Sequence, residues 1–198
     1  MKYIEFAAKG IRNANWVGIR DVPMPGCIVQ DLTDLPIKGV EDNTCDGIYS
    51  EHFIEHLEKD EGIALFKECM RILKPGGVIR TVWPPMEIVE WLQSDEDLSQ
   101  DPFVKHYHQV YVLKHKFAPE GYENHRIQEQ VAQGLLWQKG EHKYLWSSKE
   151  LIEELKSIGF EDVNECEYGK SQVAEFNNID TPDRIRRAHS VVVEAKKP

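Results

Sequence analysis

A short motif of histidine and glutamate side chains stands in the first half of the chain. Residues 52–56 read HFIEH, which has the spacing HxxEH. On one helix face this spacing would set His52 and His56 one turn apart, so that both imidazoles could bind a zinc ion while Glu55 activates a water molecule. Such a zinc hydrolase would need a third ligand, for which the chain offers many acids and histidines downstream.

The residues on either side of this motif predict a different setting for it. A short strand at 47–50 precedes it, an amphipathic helix follows from 60 or 61 to about 73, and an apolar strand lies at 78–83. This order describes a β-α-β unit, in which a helix joins two parallel strands. The motif then occupies the turn before the helix, with His52 lining a pocket and His56 packing the turn. Zinc hydrolysis is therefore a remote alternative, and we predict no metal ligands.

The rest of the chain extends this unit into an α/β protein. Further helices are predicted at 86–93 and from Ser147 or Ser148, either of which can cap the helix, to Gly159, which closes it. The connection at 168–189 has the composition of a loop, so the last two strands should form a C-terminal antiparallel hairpin at the sheet edge. We predict a Rossmann-like fold with a doubly wound, seven-stranded sheet. The predicted strands are 2–8, 16–20, 27–30, 47–50, 78–83, 160–167 and 190–195.

The segment from about 94 to 140 differs in character from the rest. It is rich in His, Tyr, Gln and Glu, and its apolar residues are irregularly spaced. We interpret it as an insertion that covers a pocket, within a single domain that spans 1–198. The spacing of its histidines fits no standard metal pattern, so we expect them to be exposed. They are His106, His108, His115 and His125.

Composition limits the partners of the protein. The 198 residues carry a net charge of −10, which argues against a general nucleic-acid surface, and the basic cluster at 183–187 is interpreted as a solvated face. No apolar run approaches the roughly 18 residues of a membrane span, and the N-terminal residues do not resemble a signal peptide. We therefore expect a cytoplasmic protein with reduced thiols. Its cysteines, none in a CxxC pair, are Cys27, Cys45, Cys69 and Cys166.

Three segments together resemble the class I S-adenosylmethionine-dependent methyltransferases, in particular a predicted bacterial branch of the type 11-like group. Residues 46–57 (DGIYSEHFIEHL) look like the fourth strand of that family and the turn after it. Residues 71–77 (RILKPGG) resemble its turn from helix to fifth strand, and 151–160 (LIEELKSIGF) its last helix and the following strand entry. The stretch at 142–144 (HKY) is also similar to this branch.

The resemblance implies that S-adenosylmethionine is the cofactor and that it binds beyond the carboxyl ends of the strands. The backbone after the first strand should approach the cofactor. Asp21 should accept hydrogen bonds from the ribose hydroxyls, and Asp31 should contact the adenine amine. The implied cofactor positions are Ala7, Ala8, Gly10, Asp21, Asp31, Leu32, Ser50 and Glu51.

The loop after the first strand departs from the family pattern. A glycine-rich GxGxG sequence is usual there, whereas this chain reads Ala7-Ala8-Lys9-Gly10. Alanine adopts a positive φ at a higher energetic cost than glycine does. An alternative therefore stands beside the enzyme: a non-catalytic domain that retains the fold and uses the insertion to bind a partner.

Methyl transfer is an in-line displacement that depends mainly on positioning. An oxygen or nitrogen acceptor also needs a base, for which histidine is well suited at neutral pH. The candidates are His52 and His142, with His56 third. Trp83 ends the fifth strand; we interpret it as a core or lid residue, with contact to the substrate as the alternative. The predicted acceptor is a small molecule or a glycan precursor.

Overall fold

The computed structural model describes residues 3–8, 12–182 and 188–198. Seven strands form one sheet in the order β3-β2-β1-β4-β5-β7-β6. Strands β1 to β5 pair in parallel, and β7 pairs antiparallel with both β5 and β6. The predicted Rossmann-like sheet and its antiparallel hairpin are therefore confirmed. The strands are β1 Tyr3–Phe6, β2 Trp16–Arg20, β3 Cys27–Val29, β4 Cys45–Glu51, β5 Leu73–Trp83, β6 Glu161–Glu165 and β7 Val191–Lys196.

Five α-helices accompany the sheet in the described part of the chain. The last of them begins where the sequence indicates, because Ser147 accepts a hydrogen bond from the backbone of Glu150, and it ends at Gly159 with a left-handed φ of 111°. A single 3-10 turn, Ile54–His56, lies between β4 and the first helix. The helices are α1 Lys59–Ile72, α2 Met86–Leu92, α3 Pro102–Tyr107, α4 Ile127–Trp137 and α5 Ser148–Ile158.

The main core lies between the sheet and helices α1 and α5. Their inward faces are apolar at helical spacing, and Leu65 and Leu151 are fully buried there. Trp83 is also fully buried, and its indole donates a hydrogen bond to the carbonyl of Trp146 at 2.9 Å. This side chain therefore packs in the core, as the preferred interpretation of the sequence has it, and the alternative of substrate contact at the end of β5 is wrong.

The segment from 94 to 140 is more ordered than its composition suggests. It contains α3, a π-helical turn over His108–Lys114, and α4. Together with α2 these elements enclose a second apolar cluster that includes Val104 and Val131. The side chain of Gln128 ties the segment together, since it accepts from the Leu98 backbone and donates to a backbone carbonyl. The segment thus has a small core of its own.

On the opposite face of the sheet, Phe176 and Ile179 from the chain after β6 form an apolar cluster with residues of the strands, including Tyr49. Arg80, fully buried in β5, forms ion pairs with Asp180 and Glu194. These bonds supply the counter-charges that a buried guanidinium requires. Among the described residues no helix is both long and apolar enough to cross a membrane. The basic cluster at 183–187 and the site residue Gly10 lie outside the described residues.

Candidate functional site at the ends of strands β1 and β4

The sheet order places a switch point between β1 and β4. From β1 the chain proceeds to β2 and β3 on one side, and then crosses to β4 and β5 on the other. Phe6 of β1 is directly paired with Ser50 of β4, so both strands end at the same edge. Ligands of open α/β sheets bind in the crevice that such a reversal creates.

The residues after β1 form a turn whose backbone conformation is usually adopted by glycine. Ala7 has a φ of 50°, in the left-handed region, and is exposed, whereas Ala8 is fully buried. Ala8 packs against Gly18 of β2, where a Cβ atom would lie only 2.6 Å from that of Ala8. Arg20 donates from Nη1 to the carbonyl of Ala8 at 3.1 Å. The end of β2 therefore holds the exit of β1 in place.

The predicted positions after β2 and β3 differ in their surroundings. Asp21 is exposed directly after β2. Asp31 is also exposed, and its Oδ1 accepts from the backbone and hydroxyl of Thr33, which lowers the pKa of Asp31. Leu32 is 4% exposed and packs in the main core, so it supports this loop from beneath.

Strand β4 ends in two polar residues that differ in their hydrogen bonding. The hydroxyl of Ser50 is buried and has no hydrogen-bond partner within the described residues. Glu51 instead accepts from the Tyr168 hydroxyl at 2.9 Å and from the Thr181 backbone at 3.1 Å. Its carboxylate thus fixes the connection between β6 and β7 to the end of β4. Of these two residues, Ser50 is the one whose side chain can still form a hydrogen bond to a ligand.

His52 follows β4 in a left-handed conformation, with a φ of 50°. Its Nε2 lies 2.9 Å from Ser190 Oγ, and its Nδ1 lies 3.2 Å from Glu55 Oε1. The left-handed backbone interrupts any helix at this point, and only Ile54–His56 forms a 3-10 turn. The helical spacing that a zinc peptidase motif requires for His52 and His56 is therefore not formed.

Glu55 lies at the centre of a group of imidazoles. It is fully buried, and His52, His56 and His142 surround its carboxylate. The rings of His56 and His142 meet edge to face with centroids 4.9 Å apart. The Glu55 carbonyl accepts from the Lys143 backbone at 2.8 Å, which joins the turn after β4 to the segment before α5. The three histidines proposed from sequence as bases are therefore brought together.

The electrostatics of this group favour an ionised carboxylate. Burial opposes the charge of Glu55, but the attraction of the His52 ring at 3.2 Å, together with that of the other two imidazoles, outweighs it and lowers the pKa of Glu55. Burial lowers the pKa of His142, and the attraction of Glu55 offsets this only in part. Glu55 is therefore a negatively charged carboxylate surrounded by imidazole rings.

The 94–140 segment reaches the same edge of the sheet. The ring of Phe103 in α3 stacks on His189 at 5.0 Å, and His189 in turn lies 5.5 Å from the ring of His52. Tyr107 approaches His189 edge to face. The segment therefore lies against one side of the histidine group.

A cavity of about 440 Å³ lies beside α2. It is lined by Met86 and Glu90 from α2, by Leu136 from α4, and by Tyr144 and Glu150 near the start of α5. The Tyr144 backbone also donates to the Glu55 carbonyl, so the wall of the cavity adjoins the histidine group. This size and mixed polarity suit a small organic ligand.

Comparison with known proteins agrees with this geometry. Residues 3–81 match a family model described as a methyltransferase domain. A structure of an S-adenosylmethionine-dependent methyltransferase from Archaeoglobus fulgidus superposes with a TM-score of 0.53 at 16% identity, over 99% of this chain and 86% of that one. The fold is that of the class I S-adenosylmethionine-dependent methyltransferases. No curated protein matches the sequence.

Two further structures share this methyltransferase fold. A possible exported protein from Bordetella parapertussis has a TM-score of 0.52 at 18% identity, and the chain spans 62% of its length. Phosphoethanolamine N-methyltransferase 2 from Haemonchus contortus has a TM-score of 0.51 at 14% identity, and the chain spans 48% of its length. Both matches cover the whole of this chain.

Several residues of the site were not found from sequence. Arg20 directly precedes Asp21, and an arginine at the end of a strand was a signal that could have drawn attention to it. His189 and Ser190 immediately precede β7, and their role depends on how close β7 lies to β4. No local pattern reveals that proximity.

Proposed function

We propose that the protein is an S-adenosylmethionine-dependent methyltransferase that acts on a small molecule or a glycan precursor. The observation that carries the proposal is the switch point between β1 and β4, with exposed or unpartnered polar groups at its edge. The Archaeoglobus fulgidus neighbour is named as dependent on this cofactor, and the Haemonchus contortus neighbour is described in complex with S-adenosylhomocysteine.

The residues present fit such a cofactor in two respects. The buried Ser50 hydroxyl lacks a partner among the described residues, and a bound ligand would supply one. The turn at Ala7 already has the left-handed backbone that lets the chain approach a ligand closely. We assign the ribose hydroxyls to Asp21, the adenine amine to Asp31, and the amino-acid end to the backbone of Ala7 and Ala8. When bound, the cofactor supplies an electrophilic methyl group.

His52 is the base that we propose for an acceptor hydroxyl or amine. Glu55 faces its Nδ1, which favours the tautomer with a proton there and leaves Nε2 to accept one. The hydroxyl of Ser190 is hydrogen-bonded to His52 Nε2. The methyl acceptor must therefore displace this hydroxyl or transfer its proton to His52 through it. His142 and His56 lie around the same carboxylate and stand second to His52 as candidate bases.

The acceptor side is assigned to the cavity between α2, α4 and the start of α5. Its volume of about 440 Å³ matches a small ligand, and Glu90, Lys143 and Tyr144 offer charged and hydroxyl groups to a polar one. The net charge of −10 disfavours a nucleic-acid acceptor. A hydroxylated small molecule or sugar precursor in the cytoplasm agrees with these features.

Thermal unfolding with and without S-adenosylhomocysteine tests the proposal. A ligand that binds the native state alone should stabilise it by about 2.7 kcal/mol at a hundredfold excess over its dissociation constant. Asp21→Asn should reduce the shift, whereas the exposed control Asp95→Asn should retain it. An absent shift at millimolar ligand would refute cofactor binding and support the alternative, a non-catalytic domain that binds a partner.

A further inference from the structure

We propose that Glu55, His56 and His142 form a binding site for one divalent transition-metal ion of the zinc type. One nitrogen of each imidazole and one carboxylate oxygen lie within 4.8 Å of one another. Two imidazoles and one carboxylate are a common ligand set for zinc, and the set also suits other first-row divalent ions. The site is distinct from the cofactor positions and does not depend on methyl transfer.

Hydrogen bonds fix which ring nitrogens are free. His56 Nδ1 lies 3.2 Å from the carbonyl of Glu141, and His142 Nδ1 contacts the carbonyl of Leu135. A carbonyl oxygen can only accept, so each Nδ1 must carry the proton. In each neutral ring, Nε2 is then unprotonated and carries a lone pair that can bind a metal ion. Histidines that bind metals commonly donate their other N–H to a backbone carbonyl in this way.

The state of Glu55 calls for a cation. Its side chain is fully buried, and neither oxygen has an aligned hydrogen-bond donor in the part of the chain that the structure describes. His52 approaches Oε1 at 3.2 Å, which leaves Oε2 without a neighbouring donor. We assign the two free Nε2 atoms as the ligand nitrogens, and a buried carboxylate beside their lone pairs is unfavourable unless a positive charge lies between them.

The ligands are held before any ion arrives. The backbones of Lys143 and Tyr144 donate to the carbonyl of Glu55 at 2.8 and 3.3 Å, which fixes the 142–144 segment against the Ile54–His56 turn. A preformed site loses little conformational entropy when it binds an ion. His56 is half-buried, so the group is accessible from one side. Three protein ligands also leave a coordination position for water or for an oxygen of a bound molecule.

The test uses untagged protein of residues 1–198, treated with EDTA and dialysed. It is titrated with Zn²⁺ by calorimetry and with Co²⁺ by visible absorption. We expect one equivalent of either ion, with a cobalt d–d band that zinc removes. Glu55→Gln and His56→Gln should abolish this binding. His142→Gln should abolish it as well. Of the three positions, His56 is only half-buried, so His56→Gln is the variant that should disturb the fold least.

His106→Ala is the matched control, because this histidine is exposed on the 94–140 segment. It should bind one equivalent like the unchanged protein. Lack of binding by the unchanged protein, or equal binding by Glu55→Gln and His56→Gln, would overturn the proposal. The S-adenosylhomocysteine shift of the EDTA-treated protein is measured in parallel, so failure of the metal site and failure of the proposed function give different results.

Discussion

Ala7 and His52 adopt the same left-handed backbone conformation, each with a φ of 50°, directly after two neighbouring strands. Because Phe6 pairs with Ser50, both residues lie at the same edge of the sheet, with His52 one position further along than Ala7. For a residue with a Cβ atom this conformation costs about 1–2 kcal/mol, and such costs concentrate at functional sites. The two left-handed residues therefore lie at the switch point, where a ligand is expected to bind.

Ala7→Gly should raise the free energy of unfolding by about 0.5–1 kcal/mol, because glycine adopts this conformation without the steric cost. The neighbouring Ala8→Gly should act in the opposite direction by about 1 kcal/mol, since it removes a buried methyl group. Urea unfolding of both variants measures the difference. Changes of the same sign in both would contradict the role assigned to the turn.

Gly18→Ala should destabilise the protein by about 1–3 kcal/mol through overpacking. The added methyl carbon would lie 2.6 Å from Ala8 Cβ and 2.7 Å from Cys27 Sγ. Combining it with Ala8→Gly should recover part of the loss, because one of the two clashes disappears. A double-mutant cycle by urea unfolding checks this, and strict additivity would show that the two residues are not in contact.

Ser50→Ala should affect stability and ligand binding in opposite directions. Without ligand, removal of a buried hydroxyl that lacks a described partner should stabilise the fold by about 1 kcal/mol. If Ser50 contacts the cofactor, calorimetry should show weaker binding of S-adenosylhomocysteine by the same variant. Unchanged affinity would remove Ser50 from the cofactor site while leaving the stability prediction intact.

Glu68 should contribute a pH-dependent part of the stability. It is 7% exposed and accepts from the Ile37 backbone at 2.7 Å and from Arg71 at 2.6 Å. Burial alone would raise its pKa, but these hydrogen bonds outweigh it and lower the pKa of Glu68. The contribution is therefore complete above the unfolded pKa of about 4.3 and is lost as the pH falls through the lower folded value.

At pH 7, Glu68→Gln should reduce the free energy of unfolding by about 1–3 kcal/mol. The difference from the unchanged protein should shrink as the pH falls through the folded pKa of Glu68. Urea unfolding at stepwise pH measures this, with the exposed Glu120→Gln as control. A difference that stays constant down to pH 2 would show that the charge of Glu68 is not responsible.

Local patterns in the sequence determined the elements and their order. Apolar spacing identifies α1, and a serine cap and a closing glycine bound α5, because these effects depend only on residues a few positions apart. The succession of strand and helix then restricts the sheet to few topologies, of which the observed order is one. The switch point and its strand-end residues followed from that order.

Only the tertiary structure decided how the histidines are used. The HxxEH spacing suggested that His52 and His56 lie one helical turn apart, but the left-handed backbone of His52 interrupts the helix, and the ring of His142 packs against His56. Backbone hydrogen bonds from Lys143 and Tyr144 to the carbonyl of Glu55, which lies far from them in the chain, create this grouping. Sequence spacing records neighbours along the chain, whereas contacts between distant segments depend on how the whole fold packs.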